Sequence, residues 1–164
     1  MRSGKLREII SRYKYDNRKG WAGIFGRLLV GYLEEEFLSE WDLIIPMPTY
    51  IGEGGRQWDH IDLIVEKAAI EGPELPFRRD VMRKTRPTAS LVKQTSFHAR
   101  AVVAESELGP ALEVIDPVAV AGKYVLVFDD VFTSGLTLRE VARKLKDAGA
   151  RGVIGVVLAR QPWS

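Results

Sequence analysis

The sequence predicts one α/β domain with a central, mostly parallel β-sheet flanked by helices. Three observations carry that prediction. Val125–Phe128 and Gly152–Ala159 are apolar runs too short and too uniform for amphipathic helices, which suits strands buried in a parallel sheet. Between them Leu138, Val141, Ala142 and Leu145 recur at helical spacing, so the unit reads strand, helix, strand. The chain has 164 residues, 46 % of them hydrophobic and 28 % charged, which is the composition and core size of one ordinary soluble domain.

The remaining elements follow in order. Leu6–Tyr13 reads as a short helix. Trp21–Leu38 reads as a longer one, with Ile24, Phe25, Leu28, Leu29, Tyr32 and Leu33 at mostly helical spacing. Residues 1–40 form a helical amino-terminal segment and 41–160 the α/β core. Trp41–Ile45 is an apolar strand stopped by Pro46 and Pro48, and Gly52, Gly54 and Gly55 loosen the loop that follows. Trp58–Ile70 has helical spacing, and Phe77–Met82 reads as a strand. Arg83–Ser96 has no period and reads as a loop, while Phe97–Ser106 stays open. Ala111–Ile115 reads as a strand, and Gly149 stops the helix that precedes the last strand.

Net charge is only +2, so the whole-chain balance points to no partner, but its distribution is uneven. Met1–Trp21 holds seven Lys/Arg against two acids, Arg78–Arg100 seven against one, and Ala101–Val120 four acids with no base. Basic clusters of this kind suit a polyphosphate or a nucleic acid backbone, or simply a solvated face. The chain has no cysteine, which excludes disulfides, thiol catalysis and Cys-ligated zinc. There is no 18-residue apolar run and no signal-like apolar core, so the expectation is a cytoplasmic protein without membrane contact.

Chemistry concentrates in Val125–Thr137, where an apolar strand runs into Asp129 and Asp130 and then into Thr133-Ser134-Gly135-Leu136-Thr137. Paired carboxylates beside a core need partners. Sugar hydroxyls can donate to them, or a divalent cation can neutralise them. Thr133–Thr137 offers successive backbone N–H groups, hydroxyls and a glycine at a helix N-terminus, which suits a phosphate. Neither a Walker A lysine nor a Gly-x-Gly-x-x-Gly fingerprint is present. In an open α/β sheet this strand end is also where ligands bind.

This stretch resembles the signature of the type I phosphoribosyltransferases: an apolar strand, two acids, two apolar residues, then Thr-(Ser/Thr)-Gly-x-Thr. Other stretches resemble its ComF-like branch, associated with bacterial competence and with amidophosphoribosyltransferase-like proteins. They are Tyr13-Lys14-Tyr15, Ile44-Ile45-Pro46-Met47-Pro48, Arg56-Gln57-Trp58-Asp59-His60, and Lys84-Thr85-Arg86-Pro87 with Arg100. The likeness covers about residues 13–160. Gln57, Asp59, His60 and Thr88 depart from the branch's usual residues, and the Cys-rich amino-terminal zinc ribbon of many members has no counterpart.

The resemblance implies that Asp129 and Asp130 hold the two ribose hydroxyls of phosphoribosyl pyrophosphate (PRPP), and hold Mg²⁺ mostly through ligand and water. It implies that Thr133, Ser134, Gly135, Leu136 and Thr137 wrap the 5-phosphate. Pro48, Thr49, Tyr50 and Arg56 would face pyrophosphate. Lys84 and Arg86, ahead of Lys93, would be the catalytic cations of a mobile lid over Arg83–Arg100. Residues 1–40 would be a small hood over the acceptor. Thr133 stands where the 6-oxopurine branch places an Asp, which argues against hypoxanthine or guanine. The two histidines, His60 and His98, read as surface or satisfied residues. The leading expectation is transfer of the phosphoribosyl group to an unidentified base or amine with release of pyrophosphate. The alternative is a non-catalytic PRPP- or nucleotide-binding module acting through a protein or DNA partner in competence-like DNA uptake. A homodimer stays open.

Overall fold

The computed structural model describes residues 3–36, 41–94 and 96–160. Helix α1 (Ser3–Tyr15) leads through a 3₁₀ turn (Lys19–Trp21) into α2 (Ala22–Glu36). Leu38, the expected end of the second helix, lies outside the described residues. Strand β1 (Leu43–Pro46) is followed by a loop and by α3 (His60–Glu71). Asp59 caps α3, its carboxylate accepting from the N–H groups of Ile61 (3.1 Å) and Asp62 (2.9 Å). The cap moves the helix start from the expected Trp58 to His60.

Three strands form the main sheet in the order β1–β4–β5, with β4 spanning Tyr124–Phe132 and β5 spanning Gly152–Arg160, all parallel. Helix α7 (Leu136–Asp147) makes the crossover between the last two. Leu138 of α7 crowds Gly155, while α3 meets the opposite face through His60 and Asp130. Helices thus cover both faces, as the spacing predicts. The core joins Leu126, Phe128, Ile44 and Ile45 of the sheet to Ile61, Ile64 and Val65 of α3, and these to Phe25, Leu29 and Leu33 of α2. Tyr13 of α1 is fully buried in it, edge-on to Phe25 and Trp58.

Four expectations need correction. The expected strand Phe77–Met82 is not one element. Phe77 makes a single parallel bridge to Ile44, and the strand proper, β2 (Met82–Lys84), pairs antiparallel with β3 (Leu112–Val114) outside the main sheet. Three ion pairs turn the chain between them: Arg78 grips Asp80 and Asp116, and Arg79 grips Asp62. Second, β5 is not fully buried. With β4 on one side and no strand described on the other, Val156 is its one buried residue. Third, β4 does not end at Phe128, because its pairing with β5 continues to Phe132. Fourth, Arg83–Ser96 is not structureless. It holds the end of β2, a 3₁₀ turn (Leu91–Lys93) and a bond from the Ala89 N–H to the Glu107 carboxylate (2.9 Å). Beyond it α4 (Phe97–Val103), capped by Ser96, runs into a π-helical turn (Ala104–Leu108), the single turn α5 (Gly109–Ala111), β3 and the short α6 (Pro117–Val120). No helix among the described residues is long and apolar enough to cross a membrane.

Candidate functional site

The extension of β4 decides how the two acids are presented. Successive residues of a strand point to opposite faces. Asp130 faces the α3 side, where His60 Nε2 and Lys14 Nζ both reach its Oδ2 atom, at 2.9 and 2.5 Å. Asp129 faces the α7 side beside Thr133 and Thr137, and its Oδ1 accepts the N–H of Asp130 at 2.8 Å. Each carboxylate therefore spends one oxygen inside the protein, and neither Asp130 Oδ1 nor Asp129 Oδ2 has a hydrogen-bond partner among the described residues.

The electrostatics of the pair are unequal. Burial would raise the Asp130 carboxyl, but the His60 hydrogen bond and the Lys14 ammonium outweigh it, and Asp130 is held below the usual carboxylate range. Burial and the charge of Asp130 push Asp129 the other way, up to about 7. Burial lowers His60, so its ring is neutral near pH 7. Its Nδ1 is buried without a partner, which fits the tautomer carrying the proton on Nε2 and donating to Asp130. Tyr13 fixes this corner, its hydroxyl donating to the His60 carbonyl at 2.8 Å.

Both acids open into a cavity of about 640 Å³. Its far wall is the loop after β1. Pro46 ends that strand, Pro48, Thr49 and Tyr50 line the cavity, and the chain returns where the Arg56 N–H donates to the Tyr50 carbonyl at 3.1 Å. A Cβ on Gly55 would lie 2.5 Å from the Tyr50 ring, so glycine lets the loop fold over its own tyrosine and deliver Arg56 to the cavity. Lys84 enters at the end of β2, donating to Thr88 Oγ1 at 2.7 Å. Burial and the neighbouring Arg56 charge lower its pKa. Arg56 and Lys84 thus join Lys14 and the two carboxylates around one cavity.

The last wall is the turn between β4 and α7. Gly135 adopts φ +75°, a left-handed conformation in which glycine carries no strain, and a Cβ there would also meet the Phe132 ring at 2.9 Å. This sharp turn starts α7 at Leu136, whose first amides have no acceptor within the helix. Thr133 and Thr137 line the cavity.

Of the residues singled out in the sequence, the cavity collects Asp129, Asp130, Thr133, Thr137, Pro48, Thr49, Tyr50, Arg56 and Lys84. It does not collect Arg86, which is exposed outside it. Ser134, Gly135 and Leu136 line a separate groove on the other side of the turn, with Phe97 and Arg139. Sequence reasoning missed Lys14 as a site residue and set His60 aside, and neither lies near Asp130 in the chain. The available signal was their company: Lys14 in Tyr13-Lys14-Tyr15, and His60 in the segment begun by Arg56.

The phosphoribosyl transferase domain family matches residues 76–164. The chain is 28 % identical to the competence protein ComFC of Streptococcus pneumoniae (strain ATCC BAA-255 / R6) over 162 residues, covering 94 % of this chain and 63 % of that protein. It therefore spans less than two thirds of that relative's length. In structure it resembles the glutamine PRPP amidotransferase from B. subtilis complexed with ADP and GMP, with a TM-score of 0.54, 22 % identity, and coverage of 85 % of this chain and 26 % of the other. A structure described as the allosteric regulatory enzyme of purine biosynthesis gives a TM-score of 0.55 at the same identity and coverage. These likenesses agree with the α/β fold and with the ComF-like resemblance of the motifs. Because the family match spans more than half of the chain and contains both acids and the turn after them, this chain belongs to the phosphoribosyl transferase domain family.

Proposed function

We propose that the chain binds PRPP with Mg²⁺ and transfers its phosphoribosyl group to a nitrogenous acceptor, releasing pyrophosphate. The observation that carries this reading is the convergence, in one cavity of about 640 Å³, of two carboxylates, the cations Lys14, Arg56 and Lys84 and the start of a helix. The two unpartnered oxygens, Asp130 Oδ1 and Asp129 Oδ2, suit the two hydroxyls of a ribose, one donor to each. Thr133, Thr137 and the first amides of α7 suit the 5-phosphate, since a helix N-terminus favours an anion. Arg56 and Lys84 then face the pyrophosphate.

The donor set also fits a magnesium ion in part. Among the described residues no group of three or more His, Cys, Asp or Glu could hold a metal, so those residues offer no ready-made cage. Mg²⁺ keeps most of its waters and suits one or two carboxylates plus substrate oxygens, which Asp129 and Asp130 would supply. When bound, it would add positive charge beside the leaving pyrophosphate.

In the transfer the bond from the anomeric carbon to the pyrophosphate oxygen breaks, and its electron pair leaves with pyrophosphate. The acceptor nitrogen forms the new bond, and its proton can leave with the pyrophosphate. Positive charge develops on the sugar, where Asp129 and Asp130 oppose it. Negative charge develops on the leaving group, where Arg56 and Lys84 oppose it. A lid cation is what turnover requires and mere binding does not, so Lys84 in the cavity favours transfer over a non-catalytic module.

Calorimetric titration of PRPP with and without Mg²⁺ tests the site on wild type and on Asp129→Asn/Asp130→Asn. Metal-assisted binding that the double variant loses is expected, and equal binding by the variant would sink the assignment. Pyrophosphate release against a panel of bases and ammonia then separates transfer from binding alone.

A further inference from the structure

Lys14 lies in none of the parts that the proposed reaction needs, yet it makes the shortest contact to the acid pair. Its Nζ sits 2.5 Å from Asp130 Oδ2, and its side chain is 15 % exposed. It projects from α1 into the cavity beside Ile10, Ser11 and Tyr15. We propose that Lys14 is a positioning residue for the sugar-phosphate site, acting through Asp130 as a built-in counter-cation. This inference rests on the PRPP reading above.

Adjacent carboxylates at a strand end repel each other, and a site with both ionised calls for two positive charges. Lys14 supplies one of them from the protein itself. His60, neutral, holds the same oxygen at 2.9 Å and contributes direction rather than charge. With Oδ2 clamped from two sides, the carboxylate of Asp130 cannot rotate freely, and Oδ1 is the atom left for a ligand hydroxyl. Asp129, with one backbone bond and no ion pair among the described residues, is the acid left for a cation arriving with the ligand.

The clamp also joins two parts of the chain. Lys14 belongs to α1, and Asp130 to β4. If the Lys14 contact strengthens ligand binding, then ligand binding must strengthen the seating of α1 by the same free energy. The adjacent Tyr13, bonded to the His60 carbonyl at 2.8 Å, gives that seat a rigid base.

The test titrates PRPP into wild type, Lys14→Met and Lys14→Arg across a series of Mg²⁺ concentrations. At limiting Mg²⁺, Lys14→Met is expected to bind about tenfold or more weakly, the scale of a lost charged hydrogen bond. Its affinity should recover toward wild type as Mg²⁺ rises, because a second ion can replace the ammonium. Lys14→Arg keeps the charge and should stay within about threefold of wild type throughout. A Lys14→Met variant that follows wild type at every Mg²⁺ concentration overturns the inference. So does one weakened by the same factor at every concentration, since that is a purely structural loss. A wild type that binds no PRPP at any Mg²⁺ concentration sinks the ligand reading itself. Hydrogen exchange on the wild type gives a measurement independent of any variant's folding. PRPP with Mg²⁺ should slow exchange in α1 (Ser3–Tyr15), and slowing confined to β4 and α7 would contradict the clamp.

Discussion

The two acids should differ sharply in what they do for the fold, and replacing each by asparagine exposes the difference. Asp130→Asn leaves Lys14, whose side chain is 15 % exposed, facing a neutral amide in a corner closed by His60 and Tyr13. Breaking a buried ion pair by removing one partner costs about 3–5 kcal/mol. Lys14 borders a cavity and can recover some hydration, so the lower end applies, about 3 kcal/mol. For a chain of this size that is a fall in Tm of about 6–12 °C. Asp129→Asn should cost nothing measurable or stabilise slightly. Its carboxyl is pushed up to about 7 by burial and by Asp130, so the ionised form is the disfavoured one. The amide oxygen can still accept the Asp130 N–H. Urea unfolding at pH 8, without Mg²⁺ or phosphate, reads both variants against wild type. The double variant Lys14→Met/Asp130→Asn completes a cycle: removing both partners should cost about 2 kcal/mol, well below the sum of the single costs. Equal destabilisation by the two asparagines, or additivity in the cycle, would refute the unequal roles argued from the geometry.

Other outcomes follow from the same geometry. Lys84→Ala should weaken PRPP binding about tenfold or more, whereas Arg86→Ala, exposed outside the cavity, should leave it unchanged; calorimetry that ranks them the other way would move the lid cation to Arg86. The raised Asp129 carboxyl sets a pH dependence of known sign. The folded state holds a proton there that the unfolded chain has lost, so this group lowers the stability of the ligand-free protein as pH rises from about 4 to about 7. Affinity for Mg²⁺ and PRPP should move oppositely, strengthening as pH rises through about 7, and Asp129→Asn should flatten both profiles. Asp59→Ala removes the acceptor for two amides at the start of α3 and should cost about 1 kcal/mol in urea unfolding, with Asp59→Asn close to wild type.

What the sequence made legible was local. The apolar run Val125–Phe128, the acids after it and the small residues up to Thr137 fix a strand, a turn and a helix start by their own chemistry. The structure assembles those elements in that order. The proline stop after β1 and the glycines at 52–55 placed the second loop for the same reason. What stayed hidden depended on pairing at a distance. The end of β4 at Phe132, rather than Phe128, is set by hydrogen bonds to a strand more than twenty residues later. That extension splits the acids between two faces of the sheet. The segment Phe77–Met82 reads as one strand but is turned aside by Arg78 and Arg79, whose partners Asp116 and Asp62 lie far off in sequence. His60, expected as a surface or satisfied residue, is buried and half satisfied: Nε2 has a partner, and that partner is an acid of the site.

The division of labour between the acids bears on how the site can be charged and emptied. A pair of fully ionised, uncompensated carboxylates would bind a cation tightly whether or not a sugar phosphate came with it. Here Asp130 is already neutralised by Lys14, and Asp129 carries its proton through much of the range below pH 7. Without ligand, the pair therefore holds about one net negative charge or less, too little to retain a hard divalent ion against its water shell. The pyrophosphate oxygens change that balance, because they supply both ligands and charge. Cation and sugar phosphate should then bind as a unit and leave as one. Titration of Mg²⁺ alone checks the point: the wild type should show no saturable binding in the range where PRPP makes it visible. Tight Mg²⁺ binding in the absence of PRPP would mean that Lys14 does not discharge Asp130 in solution.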